Sequence, residues 1–161
     1  MLKLTCWRAM SLVLLNLGNS AMHLLIVEAD YYKDLQAELI SGATEVIAVE
    51  EATFDIVSVP GALEIPGAVA MAAMTDKYDG YVALGVVIRG ETTHYDTVCN
   101  ESARGLMELT IKDKLCIGNG IQTVENSDQA WARARVSDKN KGGGAAEAAI
   151  AMIKLKSRFT A

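Results

Sequence analysis

Short apolar runs rich in β-branched residues alternate with stretches whose apolar residues recur at helical spacing. This alternation constrains the fold more than any other feature of the chain. Residues 23–28 (HLLIVE) read as a buried strand, 54–59 and 81–88 (YVALGVVI) as a second and third strand, and 115–121 as a fourth, interrupted by Gly118-Asn119-Gly120. Between the first two, Leu35, Leu39, Ala43, Val46, Ile47 and Glu50 keep helical spacing. In 45–51 (EVIAVEE) the β-branched residues favour strand, but the spacing decides for helix. Pro60-Gly61 halts the second strand, and Pro66 suits the first turn of a helix continuing through 68–74. Further helices are expected over about 95–111, from a cap at Asn126 or Ser127 through Arg133, and over about 144–156. Strand and helix alternating in this way imply right-handed crossovers. The expected fold is therefore α/β: three layers, with a four-stranded parallel sheet flanked by helices.

Composition narrows the function. With 20 acids against 15 bases the 161-residue chain carries a net charge of −5. It lacks the clustered basic face that nucleic-acid binding needs. Apolar residues make up 51% and prolines number only two, which excludes disorder for the bulk of the chain. A mean hydropathy of +0.20 is high for a small soluble monomer, so apolar surface is expected to find burial outside one chain. Cys6, Cys99 and Cys116 are odd in number and without C-x-x-C spacing, which reads as reduced thiols of a cytoplasmic protein. Residues 1–21 stand apart as an N-terminal extension, a disordered tail or an arm for oligomer contacts, before a domain over 22–161. Lys3, Arg8 and the apolar run 10–17 only faintly copy a secretory signal. Eight apolar residues are also too few to cross a bilayer, so no membrane partner is expected.

In sheets of this kind ligands sit beyond the carboxyl ends of the strands. The first strand delivers Asp30, Tyr31 and Tyr32 there, the second Pro60, Gly61, Ala62, Leu63 and Glu64. The third delivers Arg89, Gly90, Glu91, Thr92, Thr93 and His94, and the fourth ends around Asn119 and Gly120. Each has a plain structural reading: Tyr31 as a lid on the core, Gly61 as a turn, Glu64 as a helix-dipole partner, Thr92 or Thr93 as an N-cap. His94 is the strongest candidate for chemistry, one of two histidines and set in a loop where it can titrate. Cys99 lies a turn into the following helix and reads as a buried thiol rather than a nucleophile. Backbone amides and hydroxyls around Gly90 and Thr92 suit an anion, with Arg133 and Lys141 as candidate cations farther along. No G-x-G-x-x-G, no G-x-x-x-x-G-K-[ST] and no metal-ligand spacing occurs, so no cofactor or metal is called for.

At these positions the sequence resembles the lumazine synthase family. The resemblance rests on VPGALEIP (59–66), ALGVVIRGETTHYDTVCNESARGL (83–106), TVENSDQAWARA (123–134), NKGGGAAEAA (140–149) and IVEADYY (26–32). It implies a flavodoxin-like sandwich, assembled as pentamers with active sites between neighbouring subunits. It also implies condensation of 5-amino-6-(D-ribitylamino)uracil with 3,4-dihydroxy-2-butanone 4-phosphate, releasing phosphate and water. Tyr31 takes the place of the aromatic stacked on the pyrimidine. Gly61, Ala62, Leu63 and Glu64 match the loop holding the ribityl chain, and Val87 and Ile88 the backbone facing the ring. Gly90, Glu91 and Thr92 match the phosphate loop, Arg133 the phosphate-pairing arginine, Lys141 the lysine of N-K-G, and His94 the proton-transfer histidine. Association with riboflavin synthase is a further implied partner. Asn119 stands where many members present a phenylalanine to a neighbour's ring, which points to a one-sided aromatic clamp. Residues 135–139 lack the glycine-rich link of icosahedral members, which points to pentamers or decamers rather than a sixty-subunit shell. The alternative reading is a paralogue that binds flavin or its precursor without efficient catalysis.

Overall fold

The computed structural model describes residues 21–161, so what the sequence suggests for residues 1–20, Cys6 included, lies outside the described residues. Four strands and five α-helices follow one another as β1 (His23–Ala29), α1 (Lys33–Val49), β2 (Thr53–Val59), α2 (Ile65–Ala73), β3 (Gly80–Ile88), α3 (His94–Lys112), β4 (Ile117–Val124), α4 (Ser127–Ala134) and α5 (Lys141–Thr160). A short 3₁₀ turn at Ala62–Glu64 leads into α2. All pairings are parallel and the sheet order is β2-β1-β3-β4. The expected three-layer α/β sandwich is what forms, with the flavodoxin-like strand order.

Strand alternation divides the core in two. Leu24, Ile26, Val82, Leu84 and Val86 face α1, α4 and α5, where Leu39, Ala43, Ile47, Ala146 and Ile150 meet them. Leu25, Val27, Tyr81 and Ala83 face α2 and α3, against Ile65, Val69 and Leu106. Helical spacing prevails over β-branching at 45–51: α1 runs unbroken to Val49 because Ile47 must reach the first of these cores.

Two expectations fail, for one physical reason. The fourth strand does not end near Asn119 and Gly120; it runs from Ile117 to Val124, with Asn119 paired beside Ala83 in mid-strand. Gly118 and Gly120 are there because α5 lies against them. A Cβ on Gly118 would stand 1.8 Å from the Ala145 carbonyl oxygen, and one on Gly120 would be 2.9 Å from the Ala145 Cβ. Likewise α5 begins at Lys141, not near 144. Its glycines belong inside the helix, since a Cβ on Gly142 would sit 1.9 Å from the Leu39 carbonyl oxygen of α1. Asn140 caps this helix from a left-handed conformation (φ 42°), its side-chain oxygen accepting from Gly143 N at 3.1 Å.

Candidate functional site

With β1 and β3 adjacent at the centre, the chain leaves β1 toward one face and β3 toward the other, which opens a crevice at their carboxyl ends. A cavity of about 590 Å³ occupies it. Three loops build its wall. From β1 come Ala29, Tyr31 and Tyr32; after β2 come Pro60, Gly61, Ala62, Leu63 and Glu64; from β3 and the start of α3 come Val86, Val87, Ile88, Gly90, Thr92, His94, Tyr95 and Val98.

Backbone bonds fix these loops to one another. Asp30 N donates to Val59 O at 3.0 Å, tying the ends of β1 and β2, while Arg89 N donates to Val124 O at 2.9 Å, tying β3 to β4. Tyr31 N donates back to Ala29 O at 2.9 Å, which turns the chain so that Tyr31 stands out 70% exposed at the mouth. Its ring meets Tyr32 edge-on, centroids 4.8 Å apart. Glu64 N closes the turn onto Gly61 O at 3.2 Å. A side chain at Gly61 would come within 3.1 Å of the Glu64 carboxylate, whereas one at Gly90 would meet nothing within 4 Å. Gly90 thus leaves its backbone open to whatever enters the cavity.

The start of α3 has an unusual support. Thr93 occupies the N-cap position without a side-chain cap bond, and Thr92 Oγ1 accepts from His94 N at 3.3 Å instead. Arg89 packs its guanidinium 4.0 Å over the Tyr95 ring and donates to Glu125 (Nε–Oε2 2.8 Å) and Asp96 (Nη1–Oδ1 3.3 Å). Glu125, more than Asp96, holds Arg89 above the usual guanidinium range. Burial, followed by its hydrogen bond with Cys99, pushes the Tyr95 phenol up, and burial raises the Cys99 thiol. Cys99 is half-buried rather than buried as the sequence suggests, and a thiol pushed up in this way is a poorer nucleophile near neutrality. Cys116 is buried, and Cys99 and Cys116 are both unpaired thiols.

The structure therefore gathers Tyr31, Gly61, Ala62, Leu63, Glu64, Val87, Ile88, Gly90, Thr92 and His94 around one cavity. Glu91 is exposed between Gly90 and Thr92 but does not line it. Nor do Asn119, Arg133 and Lys141. Asn119 is exposed in mid-β4, with Oδ1 accepting from Ile121 N at 3.0 Å. Arg133 lies half-buried in α4, donating from Nη1 to Gln129 O at 3.1 Å, and Lys141 is exposed at the first residue of α5. Asn126 caps α4 as expected, accepting from Gln129 N at 3.0 Å. Sequence reasoning does not single out Tyr95 and Val98, although both lie within a helical turn of His94 and share its cavity-facing side. Among the described residues no cluster of His, Cys, Asp and Glu suits a metal ion, and no helix is long and apolar enough to cross a membrane.

Comparison with known proteins adds an independent line. The family model for 6,7-dimethyl-8-ribityllumazine synthase matches residues 21–157. The chain is 60% identical over 140 residues to the 6,7-dimethyl-8-ribityllumazine synthase of Bartonella henselae, spanning 86% of this chain and 90% of that one. Against the protein of the same name from Agrobacterium fabrum it is 58% identical over 145 residues, or 87% of this chain and 98% of the other. Against 6,7-dimethyl-8-ribityllumazine synthase 1 of Rhizobium meliloti it is 55% identical over 145 residues, or 87% and 95%. The matched span, 21–157, contains every strand and loop that builds the cavity, and with identities this high over most of both chains the chain belongs to the 6,7-dimethyl-8-ribityllumazine synthase family.

Proposed function

We infer that the chain is a 6,7-dimethyl-8-ribityllumazine synthase, a transferase of riboflavin biosynthesis. It condenses 5-amino-6-(D-ribitylamino)uracil with 3,4-dihydroxy-2-butanone 4-phosphate and releases phosphate and water. The observation that carries this reading is the convergence of an exposed tyrosine, a glycine-opened loop with a carboxylate, and a Gly-Thr-His segment on one cavity.

The residue types suit the chemistry. The substrate amine attacks the ketone and a Schiff base forms; phosphate leaves, and the ring closes. The nucleophile is the substrate's own, so Cys99 is not needed. Tyr31 stacks on the pyrimidine, Gly61–Glu64 engage the ribityl hydroxyls, and Val87 and Ile88 border the ring. The open backbone at Gly90, with Glu91 and Thr92, receives the phosphate. His94 moves protons, a role worth about 10²–10⁴-fold. Holding two substrates together supplies much of the rest.

Arg133, Lys141 and Asn119 serve the cavity of a neighbouring subunit in this reading, which makes the working unit a homo-oligomer, a pentamer or a pentamer-based assembly. Exposed Phe54, Ile56, Val57, Met71, Met74, Met107 and Ile111 supply apolar surface for such contacts. The cytoplasm as its compartment and riboflavin synthase as a partner belong to the same reading. The test is turnover of the two substrates, followed as product absorbance. His94→Ala should slow it by about 10²–10⁴-fold with pyrimidine affinity nearly intact, and full turnover in that variant would remove His94 from the mechanism. Asn119, in place of an aromatic, leaves room for a second reading, a weakly catalytic or non-catalytic paralogue that binds flavin or its precursor, against which His94, Arg133 and Lys141 all speak; wild-type protein that binds flavin at micromolar levels without turnover would establish it.

A further inference from the structure

Arg89 is the cation nearest in sequence to the anion-binding loop, and the obvious assignment would make it a phosphate ligand. Its geometry says otherwise. Both edges of the guanidinium are taken by carboxylates, Nε by Glu125 at 2.8 Å and Nη1 and Nη2 by Asp96 at 3.3 Å each. One face lies 4.0 Å over Tyr95. Two carboxylates offset its charge, so little of it is left for an incoming anion. What Arg89 joins is equally specific. Glu125 directly follows β4, Asp96 lies in the first turn of α3, and Tyr95 lines the cavity beside His94. That first turn has no side-chain N-cap to hold it.

We propose that Arg89 is a positioning residue: it clamps the Tyr95–Asp96 turn to the end of β4 and thereby sets the Gly90–Thr92 backbone and His94 against the rest of the cavity, without touching the phosphate itself. The proposal rests on the functional reading above for the identity of the anion. Misplacement by about 1 Å in such a site can cost up to 10²-fold. Loosening any one member of the clamp is therefore expected to act in the same direction.

Two measurements separate positioning from direct contact: steady-state kinetics with both substrates, and equilibrium binding of inorganic phosphate. Three variants of the full chain are compared, Arg89→Met, Glu125→Gln and Asp96→Asn. Positioning requires all three to raise KM for the phosphate-bearing substrate and weaken inorganic phosphate, by about tenfold. KM for the pyrimidine substrate should stay within about twofold, a selectivity that general loss of stability would not produce. The double variant Arg89→Met/Glu125→Gln should lose no more than the worse single variant.

Direct contact reverses the sign for the carboxylates. Glu125→Gln and Asp96→Asn would then free the guanidinium and tighten phosphate, and that result overturns the proposal, as do strictly additive losses or variants that change only Tm. Should Arg89→Met fail to fold, the two carboxylate variants carry the test alone. Wild-type protein that binds phosphate without turning over the substrates would sink the functional reading and leave the clamp testable by binding. Wild-type protein with neither property overturns both.

Discussion

Replacing Asn119 by phenylalanine tests whether this position faces a neighbour's ligand. Gly118 and Gly120 are pressed against α5, so the residue between them points to the opposite, open side of β4, where Asn119 is exposed. Exposure on that side leaves room for a larger side chain. The local loss is one hydrogen bond, from Ile121 N to Asn119 Oδ1 at 3.0 Å. At an exposed site that amide turns to water, with a net cost near the low end of about 0.5–1.5 kcal/mol. The gain, if the ring meets a bound isoalloxazine or lumazine across the subunit boundary, is a stacking pair worth about 0.5–1.5 kcal/mol beyond area burial. That corresponds to roughly two- to thirteenfold tighter binding. Riboflavin fluorescence quenching, titrated with the particle mass measured on the same sample, reads it directly. Asn119→Leu should give much less, since it adds apolar area without a π-face. Affinity unchanged or weakened in a fully assembled Asn119→Phe protein would refute the placement of residue 119 at a neighbour's site. The same gain in dissociated subunits would refute the sharing.

Three further outcomes follow from the geometry. Asp55 receives Lys77 Nζ at 2.6 Å and Tyr78 OH at 2.8 Å, and these two hydrogen bonds lower its pKa to about 2. A folded-state pKa below the unfolded value gives stability that is present above about pH 4 and is lost as pH falls toward 2. The Tm advantage of wild type over Asp55→Asn should therefore shrink across that window in a pH series of thermal melts. Gly118→Ala would place a methyl group 1.8 Å from the Ala145 carbonyl oxygen, and the shift of α5 it forces should cost about 1–3 kcal/mol or more in denaturant unfolding. If Arg133 serves the neighbour's cavity, mixing unfolded His94→Ala and Arg133→Ala subunits one to one and refolding them together should restore activity. About a quarter of the sites would be intact in a ring of head-to-tail interfaces, and no recovery in properly assembled mixtures would place both residues in one subunit's site.

How much of this was legible in the sequence depended on how local each determinant is. Strand ends follow from period and from breakers such as Pro60-Gly61, so the sequence alone brings the loops carrying Tyr31, Gly61–Glu64 and Gly90–His94 to one sheet edge, where the structure has them. The β-branched segment 45–51 was also readable, because spacing over two turns outweighs propensity. The glycines misled. Gly118, Gly120 and Gly142 look like loop punctuation, yet each answers to a helix distant in sequence or packed across the layer, which no window around it reveals. The Arg89 clamp was hidden for the same reason: its tightest partner, Glu125, lies on another strand end. The same glycines make Asn119 look like a strand terminus, whereas it stands in mid-β4.

The charge arrangement at the cavity gives the strongest physical reason for proposing that the site is shared. A phosphate ester brings up to two negative charges into a crevice whose lining, among the described residues, contains no lysine or arginine. Helix and loop amides can orient such a group, but their partial charges alone are a weak counterpart for a full dianion. Arg89 is close in sequence, yet Asp96 and Glu125 already occupy its donors. The cations suited to the task, Arg133 and Lys141, sit on α4 and α5, off this cavity. Their own chain does not bring them to this cavity, which is the ground for the proposal that a second copy supplies them. Association also offers burial to exposed apolar side chains such as Ile56 and Met107, now 44% and 56% exposed. Burial and catalysis then depend on one event, subunit association. A chain held as a monomer should lose phosphate affinity along with stability, rather than keep one and lose the other.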